Sequence, residues 1–153
     1  MKAEAFFHRL LRFVRPVIYA KWFRAVRNWG DSLNPYLISC ISGRRVRYSS
    51  DINRLKYLVA GSMMGSADRN TIVWGTGCIS DSISLLEPPK EVCAVRGPLT
   101  RDLLVGMGIQ VPAVFGDPAL LMPRFYDPSV EVRYQVGIVP HYVDANHEGV
   151  LRH

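Results

Sequence analysis

Residues Val92–Pro123 read VCAVRGPLTRDLLVGMGIQVPAVFGDPALLMP, a strand, a glycine-proline turn, a helix, a second strand and an acidic loop in that order. Val92–Val95 is a short apolar run of the kind that parallel sheets bury. Arg96-Gly97-Pro98 turns the chain, and Pro98 suits the first helical position, where a missing N–H costs nothing. In the helix that follows, the spacing i, i+4, i+8 puts Leu99, Leu103 and Met107 on one face and turns Thr100, Arg101 and Asp102 away from it; Gly106 and Gly108 close the element. Val111–Phe115 reads as the next strand, with Gly116-Asp117-Pro118 directly after it. Arg96 and Asp117 then both stand at C-terminal ends of strands, the edge where open α/β sheets hold ligands.

Working outward, Val17–Ala20 is expected as the first strand, and Lys21–Asn28 as a loop. Asp31 or Ser32 can cap a helix whose apolar residues Leu33, Tyr36, Leu37 and Cys40 keep helical spacing up to Gly43. The free N–H groups of such a helix start suit an anion or sugar hydroxyls, although Asn28 and Asp31 are also ordinary turn and cap residues. Arg45–Tyr48 is a short strand, Leu55–Ala60 a central one ending at Gly61-Ser62, and Thr71–Trp74 another ending at Gly75-Thr76-Gly77. Glycines at several strand ends predict a shallow cleft in which backbone amides approach a ligand closely, or simple turns. Gly75-Thr76-Gly77 lacks the third glycine and the acidic partner of a dinucleotide fingerprint, which argues against NAD. Asp81–Leu86 is a brief helix or turn before Pro88-Pro89, and Arg124–Glu131 reads as a linker.

Four pieces in this order resemble the polysaccharide pyruvyl transferases: Asn28-Trp29-Gly30-Asp31-Ser32-Leu33, Val73-Trp74-Gly75-Thr76-Gly77, AVRGPLTRDLLVGMGI and VFGDPALLMP. The resemblance runs from about Val17 to about Val143. It implies an α/β fold, a Rossmann-like open, mostly parallel sheet flanked by helices, resembling one half of a two-domain GT-B-like architecture. It also implies transfer of the pyruvyl group of phosphoenolpyruvate onto two hydroxyls of a sugar in a surface polysaccharide or its lipid-linked precursor. The product is a ketal, phosphate is released, and no metal or redox cofactor is implied. Substrate-binding roles fall on Asn28, Gly30, Asp31, Gly75, Thr76, Gly77, Arg96 and Thr100. In the resembling proteins the site lies between two domains, and the second supplies much of the donor chemistry.

The residues themselves supply candidates for that chemistry. Arg96 can bind a carboxylate or a phosphate through its planar fork, or bond nearby carbonyls as a structural arginine. Asp117 can orient a hydroxyl, serve as base, or merely cap the turn before Pro118. His141 stands just past Tyr134–Val139, which looks like the first strand of a new unit, and a histidine there can act as acid. The predicted organisation is an amphipathic helix over residues 1–16, an α/β domain over 17–123, a linker over 124–133, and the start of a second domain or a tail over 134–153.

A chain of 153 residues, 48% hydrophobic and 21% charged, fits one globular domain. Its net charge of +6 suits anionic ligands or lipid headgroups. Without zinc spacing, aromatic RNA-binding motifs or long basic runs, nucleic acid is not the expected partner. Cys40, Cys78 and Cys93 read as buried free thiols of a reducing compartment. No apolar stretch is long enough for a membrane span and no signal sequence is evident, so the expected location is cytoplasmic. The helix over 1–16, basic with Phe6, Phe7, Leu10 and Phe13 as anchors, can lie on the inner face of a membrane or pack on protein. Two other functions fit the same sequence: a non-catalytic sugar- or phosphate-binding module, and a GT-B-type glycosyltransferase using a nucleotide sugar.

Overall fold

The computed structural model describes residues 16–25, 28–140, 144 and 146–151. The helix expected over 1–16 lies outside them, apart from Pro16, and so does His141. Five short parallel strands form one open sheet, β1 (Ile18–Ala20), β2 (Val46–Tyr48), β3 (Lys56–Leu58), β4 (Thr71–Trp74) and β5 (Glu91–Ala94), in the order β2-β1-β3-β4-β5. Two helices, α1 (Trp29–Ser42) and α2 (Pro98–Gly106), flank it. The fold is an open Rossmann-like α/β sheet. In the order 2-1-3-4-5 the chain leaves β1 towards one edge and β3 towards the other, which opens a crevice at the C-terminal ends of β1 and β3.

Side-chain alternation along each strand feeds two cores. Val73, Val92, Val95, Met64, Leu104 and Val111 cluster with half-buried Ile83, Leu85 and Ile109. Ala20, Val59 and Ile38 of α1 cluster with Ile18, Trp22, Val46, Tyr57 and Trp74. Lys56 and Asp68 form an ion pair at 2.6 Å with both side chains fully buried.

The cap of α1 lies three residues before Asp31 and four before Ser32, the two expected caps. Asn28 is the cap residue, its side chain accepting from Asp31 N–H at 3.3 Å, and Gly43 ends the helix in the left-handed conformation (φ 65°). Pro35 lies inside α1 and has no N–H for the Asp31 carbonyl four residues earlier. Asn34 Nδ2 donates to that carbonyl instead, at 3.0 Å.

Other expectations need correction. On α2 the buried residues are Thr100 and Leu104, whereas Leu99 is 80% exposed and Met107 is also exposed. Thr100 is accommodated in the interior because its hydroxyl accepts from Cys78 N–H at 3.2 Å. Val111–Phe115 makes only one bridge, Val95 to Phe115, since Pro112 offers no donor to a ladder. Of the two readings of Asp81–Leu86, brief helix or turn, the turn is seen, at Asp81-Ser82. Tyr134–Val139 is not a strand: Tyr134, Val136 and Val139 are exposed, and an alternating pattern needs a neighbouring strand to become one. The tail carries a short helix, α3 (Glu148–Leu151), where no periodic pattern predicts one. The three cysteines are free, but half-buried rather than fully buried.

Candidate functional site

The pieces Asn28–Asp31, Gly61-Ser62, Gly75–Gly77 and Arg96 meet along the C-terminal edge of the sheet. What aligns α1 with it is Asn34, a fully buried polar residue between Leu33 and Leu37. Its Oδ1 accepts from Ala60 N–H at 2.9 Å, and its Nδ2 reaches Ala60 O at 3.4 Å as well as Asp31 O. One amide thus fastens the first turn of α1 to the end of β3. Asn34→Leu is expected to leave the Ala60 and Asp31 groups unpaired in the interior, costing about 1–3 kcal/mol per orphaned group. A urea-denaturation midpoint checks this, and an unchanged midpoint would remove Asn34 from this role.

Asp31 is therefore held at the crevice between β1 and β3. A Cβ on Gly61 would stand 3.3 Å from Asp31 Oδ1, so the carboxylate lies against the Gly61 backbone, which has φ 98°. Burial pushes the Asp31 carboxyl above its usual value, countered by a backbone hydrogen bond from Phe23. A carboxylate on the first turn repels anions, so this helix start suits sugar hydroxyls better than a phosphate.

On the other side of Gly61 lies Arg96. Its Nη1 donates to Ser62 Oγ at 2.8 Å and reaches Gly61 O at 3.5 Å, and its Nη2 donates to Cys78 O at 3.0 Å. The guanidinium rests on Gly77, where a Cβ would come within 2.6 Å of Nε. Among the described ion pairs none involves Arg96, so its charge is oriented by neutral acceptors and is not neutralised. The same guanidinium borders a cavity of about 1080 Å³ walled by Cys78–Asp81 and by two leucines of α2, exposed Leu99 and half-buried Leu103.

The expected row of open glycines is a different object. The Pro118 ring fills the space beside Gly75 (φ 101°), 2.3 Å from where a Cβ would be; Arg96 covers Gly77, and Asp31 abuts Gly61. Protein groups, not ligand, occupy these positions. Thr76 is fully buried, its hydroxyl donating to Gly61 O at 3.0 Å and accepting from Met63 N–H at 2.9 Å. Thr100 faces inward in the same way. Gly30 sits in the first turn of α1, and Asn28 caps it. Asp117 caps its own turn, Oδ1 accepting from Ala119 N–H at 2.9 Å. Asp31, Ser62 and Arg96 are thus the polar side chains gathered at the crevice. The sequence reading named Ser62 only as a strand-end residue and Asn34 not at all; the signal for Asn34 was an amide inside an apolar helical stripe.

Among the described residues no group of three or more His, Cys, Asp or Glu side chains could hold a metal ion, and no helix is long and apolar enough to cross a membrane. An uncharacterized protein of Acanthamoeba polyphaga mimivirus is 30% identical over 141 residues, which cover 85% of this chain and 47% of the viral protein. The chain spans about half the length of that curated relative. No protein-family profile matches the chain. No solved structure matches it either.

Proposed function

We propose that the chain carries the acceptor-side half of a pyruvyl transferase acting on sugar hydroxyls of a surface polysaccharide or its lipid-linked precursor, with phosphoenolpyruvate as donor. The observation that supports this reading is the meeting of Asp31 and Arg96 on either side of Gly61-Ser62 at the sheet's switch point. Three of the four sequence pieces that carry the resemblance contribute directly to that edge, and the fourth brings Pro118 to it.

In this reading Arg96 is the anion anchor. Ser62 and the Cys78 carbonyl fix its plane, so its charge is available to the phosphate or carboxylate of the donor without reorganisation. Asp31, with its raised pKa, replaces Asp117 as the acceptor of a sugar hydroxyl proton. The balanced reaction forms two C–O bonds to the central carbon of phosphoenolpyruvate. The C–O bond to phosphate breaks, and of the two protons that the hydroxyls lose, one is gained by the methylene carbon and the other leaves on the phosphate. Donor-side groups belong, by resemblance, to a second domain.

The test is phosphate release from phosphoenolpyruvate in the presence of a lipid-linked glycan acceptor, using the chain in the length its own cells produce. Acceptor-dependent release supports the reading. Protection by a nucleotide sugar without any response to phosphoenolpyruvate would sink it in favour of a glycosyltransferase.

A further inference from the structure

A second crevice lies along the outer face of α1. Trp29, Ser32, Leu33 and Tyr36 follow one another at i, i+3, i+4, i+7 and form one face of α1; Met122 and Tyr126, in and just after the 3₁₀ helix Pro118–Arg124, face them across a cavity of about 400 Å³. Tyr36 Oη approaches the Phe125 carbonyl at 3.5 Å and joins the two walls. Trp29 is 74% exposed and Tyr126 64%, although both rings lie at a cavity rim where an apolar core would normally cover them.

We infer that this crevice is a carbohydrate subsite, with Trp29 and Tyr126 as platforms for the apolar faces of a neutral sugar ring. Three features select that chemistry. The volume lies within the range of small-ligand pockets, roughly 300–1,000 Å³. The lining offers aromatic faces with the hydroxyls of Ser32, Tyr36 and Tyr126, and contains no lysine, arginine or histidine, so nothing in it recognises an anion. A lipid chain would find only Leu33 and Met122 as aliphatic contacts.

This inference rests on the proposed function only in naming the acceptor glycan as the natural occupant; the subsite would hold the residue next to the one whose hydroxyls reach Asp31. The experiment is an NMR titration of the chain with neutral hexose trisaccharides of β-glucosyl, β-galactosyl and α-mannosyl type. At least one should bind and shift the indole signal of Trp29. Trp29→Ala and Tyr126→Ala should each weaken that binding about tenfold or more, whereas Trp29→Phe, which keeps a ring, should retain part of it. Because both side chains are exposed, a dispersed amide spectrum is expected for every variant. Lys90→Ala, an exposed residue at the opposite edge of the sheet, should bind the trisaccharide as the parent does. Sugar binding without phosphate release from phosphoenolpyruvate would leave the subsite standing and the pyruvyl reading fallen. No binding by any of the trisaccharides, binding unchanged in Trp29→Ala, or preferential binding of a free nucleoside would overturn the subsite.

Discussion

Lys56→Met is expected to lower the free energy of unfolding by about 3–5 kcal/mol, because it strands a buried carboxylate. Lys56 and Asp68 have no appreciable exposure and meet at 2.6 Å. The lysine ammonium also donates to the carbonyls of Asp51 at 3.0 Å and Arg54 at 3.3 Å, so the substitution orphans three acceptors. Asp68 keeps its bonds from Asn70 N–H and the Thr71 hydroxyl, both at 3.0 Å, which hold it in place without neutralising it. Burial alone would raise the Asp68 carboxyl, but Lys56, Asn70 and Thr71 together outweigh it and leave the value below the ordinary one. A carboxyl lowered by folding stabilises the protein above its unfolded pKa, about 3.9. That contribution is lost as the pH falls through the folded value.

In Lys56→Met that lowering weakens. With its cation gone, only the bonds from Asn70 and Thr71 oppose burial, so the Asp68 carboxyl of the folded variant titrates above that of the parent. The stability gap between parent and variant should therefore be widest near neutral pH and narrow as the pH falls through the carboxylate range. Urea unfolding at two pH values measures both quantities. A loss below about 1 kcal/mol at neutral pH would mean that solvent reaches the pair and screens it.

Arg96→Ala is expected to reduce acceptor-dependent phosphate release by about 10²–10³-fold, the loss typical for removing one pre-oriented electrostatic donor. Its fold should persist, since the side chain is exposed and bonds to a hydroxyl and two turn carbonyls that water can satisfy. Gly77→Ala is a complementary variant. It keeps the charge but puts a methyl group where the guanidinium now rests, so Arg96 must lift away from Ser62 and the Cys78 carbonyl. If Arg96 acts by its placement, Gly77→Ala should be impaired in the same assay and Arg96→Lys should not restore activity, because an ammonium lacks the planar fork. Full release by Arg96→Ala would reduce the arginine to a brace for the Gly61 and Cys78 loops.

The sequence displayed the fold more clearly than the site. β4 coincides with its apolar run Thr71–Trp74, and Pro98 stands at the start of α2 as its missing N–H allows. The buried face of α2 was obscured because two stripes were available, Leu99-Leu103-Met107 and Thr100-Leu104, and hydrophobicity favours the first. Burial went to the second, once a loop amide satisfied the threonine hydroxyl. Composition could not show that Leu99 and Leu103 border a cavity.

The motifs Asn28–Asp31, Gly75–Gly77 and Arg96 lie along one edge of the sheet, and of the two readings of the strand-end glycines, open cleft or turn, the space beside Gly75 and Gly77 is filled by protein. Whether a glycine leaves room for a ligand or for a neighbouring side chain depends on residues far away in sequence, here Pro118 for Gly75 and Arg96 for Gly77. The same holds for Asn34, whose partner Ala60 lies 26 residues away, and for Lys56, whose counter-charge is known only once Asp68 folds against it.

The most direct test is to follow the backbone amides of the labelled chain by NMR while phosphoenolpyruvate and a neutral trisaccharide are added together. Shifts concentrated at Asp31, Gly61, Ser62, Gly77 and Arg96 are the predicted result, because both ligands should meet at the switch point of the sheet. Shifts confined to the opposite edge, around Lys56, Asn70 and Lys90, or no shifts at all, would contradict the assignment of that edge as the functional site.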